Sequence, residues 1–201
     1  MSRLGPRIVA GALAGLLALA AHAQDGLALV RAARAQVGVT VDYDPAYVTI
    51  AYPGGDVPAD RGVCADVVVR AFRRVGLDLQ KLVHEDMRAH FSAYPKTWGL
   101  RRPDPNIDHR RVLNLETYLR RRGFRRTGSF VPADFEPGDI VSWRLPGNLP
   151  HIGVVSDRTA ADGSGRPLVI HNVGRGAREE DVLYAWPQAG HFRWRFAERR
   201  P

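Results

Sequence analysis

Cysteine is nearly missing from this 201-residue sequence: Cys64 stands alone. A lone thiol excludes an intramolecular disulfide framework and any zinc site that needs two or more thiolates. Lysine is almost as scarce. Lys81 and Lys96 are the only two, so nearly all of the positive charge is arginine. No sustained heptad pattern, no Gly-X-Y repeat and no series of long apolar runs is present, which excludes a coiled coil, a collagen-like chain and a multi-pass membrane protein. What is there is ordinary. Hydrophobic residues make up 45% and charged residues 25%, the composition of a globular chain rather than a disordered one. The length allows one domain or two small ones.

The first 23 residues read as a secretory signal peptide. Arg3 and Arg7 form a positive start, Ile8 to Ala21 is an uncharged apolar run, and Ala21-His22-Ala23 has the small-x-small cleavage pattern. The run is shorter than the roughly 20 residues a spanning helix needs, so no stable membrane span is expected. The remaining residues, 24–201, are read as one domain, exported to the periplasm or beyond the cell. Losing two arginines lowers the net charge from +8 to +6.

Helices come first along the mature chain and strands follow. Helical spacing marks 25–37, 64–75, 78–91 and 114–122, closed by Gly38, Gly76 and Gly123 at three of their ends. The 64–75 stretch is the clearest, with Cys64, Val67, Val68, Ala71, Phe72 and Val75 on one face. Residues 39–63 and 92–113 are turn-rich and read as shaped loops. Strands are expected at 139–145, 152–156, 168–172 and 191–196, the middle two as a hairpin. This order predicts an α+β fold, with N-terminal helices packed on an antiparallel sheet.

Chemistry is most concentrated around Cys64. It sits on the first turn of its helix, where backbone N–H groups and the helix dipole favour a thiolate. The bland alternative is a buried packing cysteine. A nucleophile needs a base, and His151 heads the strand His151-Ile152-Gly153-Val154-Val155. A base needs an orienting partner. His171 and Asn172 on the paired strand are both candidates, and alternation lets only one of them share a face with His151. His84, His90, His109 and His191 lack this pairing and are read as structural or surface residues.

These residues resemble a known family. The order of Cys64 at a helix start, Gly138-Asp139-Ile140-Val141, His151-Ile152-Gly153-Val154-Val155 and Ile170-His171-Asn172 is similar to the NlpC-type, papain-like cysteine peptidases, mostly bacterial cell-wall endopeptidases. The stretches Tyr52-Pro53-Gly54-Gly55-Asp56-Val57-Pro58-Ala59-Asp60-Arg61-Gly62-Val63-Cys64 and Pro146-Gly147-Asn148-Leu149-Pro150-His151-Ile152-Gly153 resemble, more specifically, a secreted bacterial family of unknown function in that superfamily. The resemblance implies a papain-like fold. It implies Cys64 as nucleophile, His151 as base, His171 as the orienting residue and Tyr52 as an oxyanion donor with the Cys64 N–H. It calls for no cofactor and no metal. Val63-Cys64-Ala65-Asp66 departs from the Asp-Cys-Ser-Gly of the cell-wall enzymes, so the substrate preference carries over less well than the chemistry.

Three functions follow as expectations. The first is a secreted cysteine hydrolase cleaving an amide in peptidoglycan stem peptide or another envelope substrate. The second is an amidase or acyltransferase using the same thioester on a lipid or protein. The third is a non-enzymatic envelope-binding protein. Lys96-Thr97-Trp98-Gly99 and Asp108-His109-Arg110-Arg111 read either as a loop tied by salt bridges or as a carboxylate-recognising wall. Arg120-Arg121-Arg122 and Arg125-Arg126 read as a solvated helix terminus, and an exported chain is not expected to bind nucleic acid.

Overall fold

The computed structural model describes residues 24–128 and 130–196. The expected signal peptide, 1–23, lies outside the described residues. Residues 24–34 form a helix, α1. Three more follow: α2 (Cys64–Arg74), α3 (Leu79–His90) and α4 (Val112–Arg121). Two short strands, β1 (Asp42–Tyr43) and β2 (Arg61–Gly62), pair in parallel just ahead of α2. A five-stranded antiparallel sheet completes the molecule, built from β3 (Ile140–Leu145), β4 (Leu149–Thr159), β5 (Pro167–Asn172), β6 (Ala177–Glu180) and β7 (Gln188–Phe192). Its strand order is β6-β5-β4-β3-β7. The fold is α+β. Among the described residues no helix is long and apolar enough to cross a membrane.

Strand alternation divides the sheet into two faces. Ile140, Ile152, Val154, Ile170 and Phe192 pack against α1, α2, α3 and α4 in the larger core, which includes Leu29, Val68, Phe72, Val83 and Leu115. Val141, Trp143, Val155 and Val169 face the other way and are covered by Phe135 and Leu183 in a smaller core. Both faces are therefore buried, which is why β3 and β4 read as near-continuous apolar runs.

Local chemistry sets the helix ends. Asp66, on the first turn of α2, accepts the Val63 N–H at 2.7 Å and satisfies one orphan donor. Asp78 caps α3 through the Gln80 N–H. α4 begins at Val112, ahead of the expected Asn114, and Asn114 instead donates to the Asp108 carbonyl. The 39–63 loop holds β1 and β2, which no alternation announced. β6 was also unexpected. The last strand ends at Phe192, while Trp194 and Phe196 still bury their rings, Trp194 at 4.4 Å from Phe124 and 5.1 Å from Phe72.

Candidate functional site

Cys64 opens α2 against β4 and is 3% exposed. The backbone N–H of Ile152 reaches its sulfur, as do those of Ala65 and Cys64 itself. The helix-start position was expected to favour a thiolate. Burial reverses that expectation: desolvation pushes the thiol from 9.0 up to about 12, the three amides offset only part of it, and Asp66 adds to the rise. Burial therefore favours the neutral thiol over the thiolate.

Asp66 is itself held in place. It forms a buried ion pair with Arg110, Nε to Oδ1 at 2.9 Å and Nη2 to Oδ2 at 3.0 Å, and both side chains are at most 3% exposed. Arg110 also donates to the carbonyls of Ala46 and Asp44. The Asp108-His109-Arg110-Arg111 stretch is thus tied down at Arg110, while Arg111 faces the cleft. The Arg111 guanidinium lies 4.3 Å over the Trp98 ring and pairs with Asp108 at 3.3 Å. Burial raises the Asp108 carboxyl to about 6. Tyr43, Tyr47, Cys64, Trp98 and Arg111 line one cleft of about 380 Å³.

His151 and His171 meet as adjacent strands require. His151 Nε2 lies 2.9 Å from His171 Nδ1. His171 Nε2 lies 3.1 Å from Glu180 Oε2 on β6. The register explains both contacts. His171 pairs with Arg178, which places Glu180 two residues along on the same face. Gly153 is required between the histidines: a Cβ there would come within 2.7 Å of Val169 Cγ1 and 3.1 Å of His171 Cβ. The pair is shielded by Trp143, stacked 5.5 Å from His151, and by Trp186 at 5.8 Å. Burial drives His151 down to about 3, assisted by His171. Burial also lowers His171, with Glu180 pulling the other way.

This chain of contacts fixes tautomers. A carboxylate only accepts, so His171 Nε2 donates to Glu180. His171 Nδ1 is then an acceptor, and His151 Nε2 must donate to it. The lone pair of His151 is left on Nδ1, which suits a general base. Asn172, the other candidate partner, turns to the opposite face and donates to the Gly62 carbonyl at 3.0 Å.

Among the described residues no hydrogen bond joins Cys64 to His151. His151 leaves β4 from the face of Trp143, whereas Ile152, the next residue, packs on the Cys64 side. The peptide unit between them carries the N–H that approaches the sulfur.

Tyr52 is not at this site, which corrects its expected role. Its turn is fastened to the start of α3 by Gly54 N–H to Asp78 and Gly55 N–H to Gln80, and its ring sits 4.9 Å from His84. Tyr43 stands beside Cys64 instead. β1 pairs it with Gly62, and burial together with the neighbouring thiol raises its hydroxyl to about 12. Tyr43 and Glu180 were both missed, because each lies on a strand too short to register as a pattern. His191 is structural as expected, bonded to Asp139 at 2.6 Å and stacked on Phe135.

Comparison with known proteins places the chain. A family model described as a domain of unknown function, DUF1287, matches residues 30–194. The chain belongs to the DUF1287 family. Within the curated proteins it is 59% identical over 173 residues to the "Uncharacterized protein YijF" of Escherichia coli (strain K12), spanning 86% of this chain and 83% of that one. No solved structure matches. The DUF1287 match takes in Cys64, His151, His171 and Glu180 alike.

Proposed function

We propose that this DUF1287 protein is an exported, papain-like cysteine hydrolase that cleaves an amide bond, with the stem peptide of the cell wall as its substrate class. The observation that carries the reading is the Glu180–His171–His151 chain, which leaves a base lone pair on His151 one residue from the N–H at the Cys64 sulfur. A packing role alone gives no reason for two buried histidines and a carboxylate in series.

The resting pair is neutral, so deprotonation accompanies attack. His151 leaves β4 on the face opposite Cys64 and does not line the cleft, so the step that joins Nδ1 to Sγ requires the start of β4 to shift when substrate binds. The Sγ–H proton passes to His151 as the S–C bond forms. The amide C–N bond then breaks, and the same proton leaves with the amine. Water, deprotonated by His151, hydrolyses the thioester and restores the thiol. The oxyanion is met by the Cys64 N–H and the Tyr43 hydroxyl. One such donor is typically worth a factor of roughly a hundred to a thousand. An amidase or acyltransferase would share every step but the acceptor.

One observation favours a second reading, an envelope-binding protein with an inert thiol: burial favours the neutral Cys64 thiol, and among the described residues no base is bonded to it. The experiment that separates the two is turnover of peptidoglycan fragments by the mature chain and by Cys64→Ala. Product release that depends on Cys64 supports the hydrolase. Release that is equal in both excludes it.

A further inference from the structure

A second cleft, of about 940 Å³, lies beside the Cys64 cleft and shares Tyr47 as a wall. Arg88, from the last turn of α3, and Arg101 and Arg102, from the loop beyond it, line it together with His84. Several arginines elsewhere are committed: Arg34, Arg70, Arg110, Arg144 and Arg193 all hold carboxylates. Among the described residues the side chains of Arg88, Arg101 and Arg102 make no hydrogen bond or ion pair. Asp104, the carboxylate of this cleft, is already engaged. It accepts from the Tyr47 hydroxyl at 3.0 Å and from the Asn106 N–H at 2.9 Å. His84 Nδ1 is buried there without a partner.

We infer that this cleft is an anion subsite in which Arg88, Arg101 and Arg102 hold the carboxylates of an acidic peptide whose chain continues past Tyr47 to Cys64. Guanidinium groups match carboxylates in bidentate geometry, and three unpaired ones in one concavity form a focused positive field. The contiguous walls suit an extended ligand. The link to Cys64 rests on the hydrolase reading, whereas the subsite itself does not.

The test uses the mature chain carrying Cys64→Ala, so that no chemistry intervenes. The probe is an acetylated, amidated tetraglutamate peptide, titrated calorimetrically at 20 mM and 150 mM salt. The subsite predicts binding that weakens with salt, and a loss of at least tenfold in Arg88→Gln/Arg101→Gln/Arg102→Gln. The charge-matched Arg31→Gln/Arg122→Gln/Arg175→Gln variant keeps the affinity. Equal affinity in all three proteins, or equal loss in both triple variants, overturns the inference. So does binding to phosphatidylglycerol vesicles without binding to the peptide. Turnover that proves independent of Cys64 sinks the hydrolase reading and leaves this binding result standing.

Discussion

Replacing Glu180 with glutamine tests the tautomer argument where it is most exposed. The carboxylate accepts from His171 Nε2 at 3.1 Å, with 30% of its side chain open to solvent. A hydrogen bond to a charged group contributes about 1.5–3 kcal/mol, and partial solvation places this one near the lower bound. About 1.4 kcal/mol is a factor of ten. Glutamine can accept through its oxygen or donate through its nitrogen, so Glu180→Gln keeps the shape and removes the bias. The expected result is a roughly tenfold fall in kcat with KM little changed, together with a mixed tautomer population at both histidines. Long-range ¹H–¹⁵N correlation on histidine-labelled protein reads this directly. The wild type should show Nε2 protonated and Nδ1 bare on both His151 and His171. Protonated Nδ1 on His151 in the wild type, or identical tautomers in Glu180→Gln, refutes the reasoning.

Other consequences are independent of turnover. Arg110→Met strands Asp66 as an unpaired buried charge beside Cys64 and should cost about 3–5 kcal/mol, a Tm loss of roughly 6–20 °C, measured by thermal unfolding; a loss under about 1 kcal/mol would contradict the buried pair. Burial lowers His109 to about 4 and His151 to about 3, so both contribute stability above pH 6.5 that is lost as pH falls through their folded values. Asp108, raised to about 6, works in the opposite direction over part of that range. The urea midpoint should therefore drop between pH 6.5 and pH 3.5, and His109→Gln should flatten the drop; an unchanged slope would contradict its burial as a neutral ring. Cys64, raised to about 12, should be alkylated by iodoacetamide at pH 7 some hundred- to thousandfold more slowly than free cysteine, and faster with each rise in pH. A rate equal to free cysteine would remove the desolvation argument. The same raised thiol makes stability fall as pH climbs from about 9 toward about 12.

The layout of helices before an antiparallel sheet was legible because each core element carries its own period. α2 repeats its apolar face at helical spacing, and β4 and β5 flank a polar loop. That His151 meets the paired strand was legible for a related reason, since hairpin neighbours face one another. Alternation left His171 and Asn172 both open, and the β4–β5 register, with Val154 opposite Ile170, decides for His171. Three things were not legible. Glu180 reaches His171 from β6, four residues whose exposed face hides the pattern. Tyr43 reaches Cys64 through a two-residue parallel ladder that no local signal marks, and the Tyr52-Pro53-Gly54-Gly55 motif drew attention to a turn fastened to α3 instead. The thiol's protonation was misjudged because helix position is a local property and desolvation is a tertiary one. Position favours the anion, but closure of β4 over Cys64 disfavours it more.

The central claim is that Cys64 performs acyl transfer. Its most direct measurement is mass spectrometry of purified peptidoglycan fragments incubated with the mature wild-type chain and with Cys64→Ala. The account predicts a new amine and a new carboxyl terminus with the wild type, none with Cys64→Ala, and a hydroxylamine-labile adduct on Cys64 when the reaction is quenched early. Equal cleavage by both proteins, or no cleavage and no adduct with either, would contradict it.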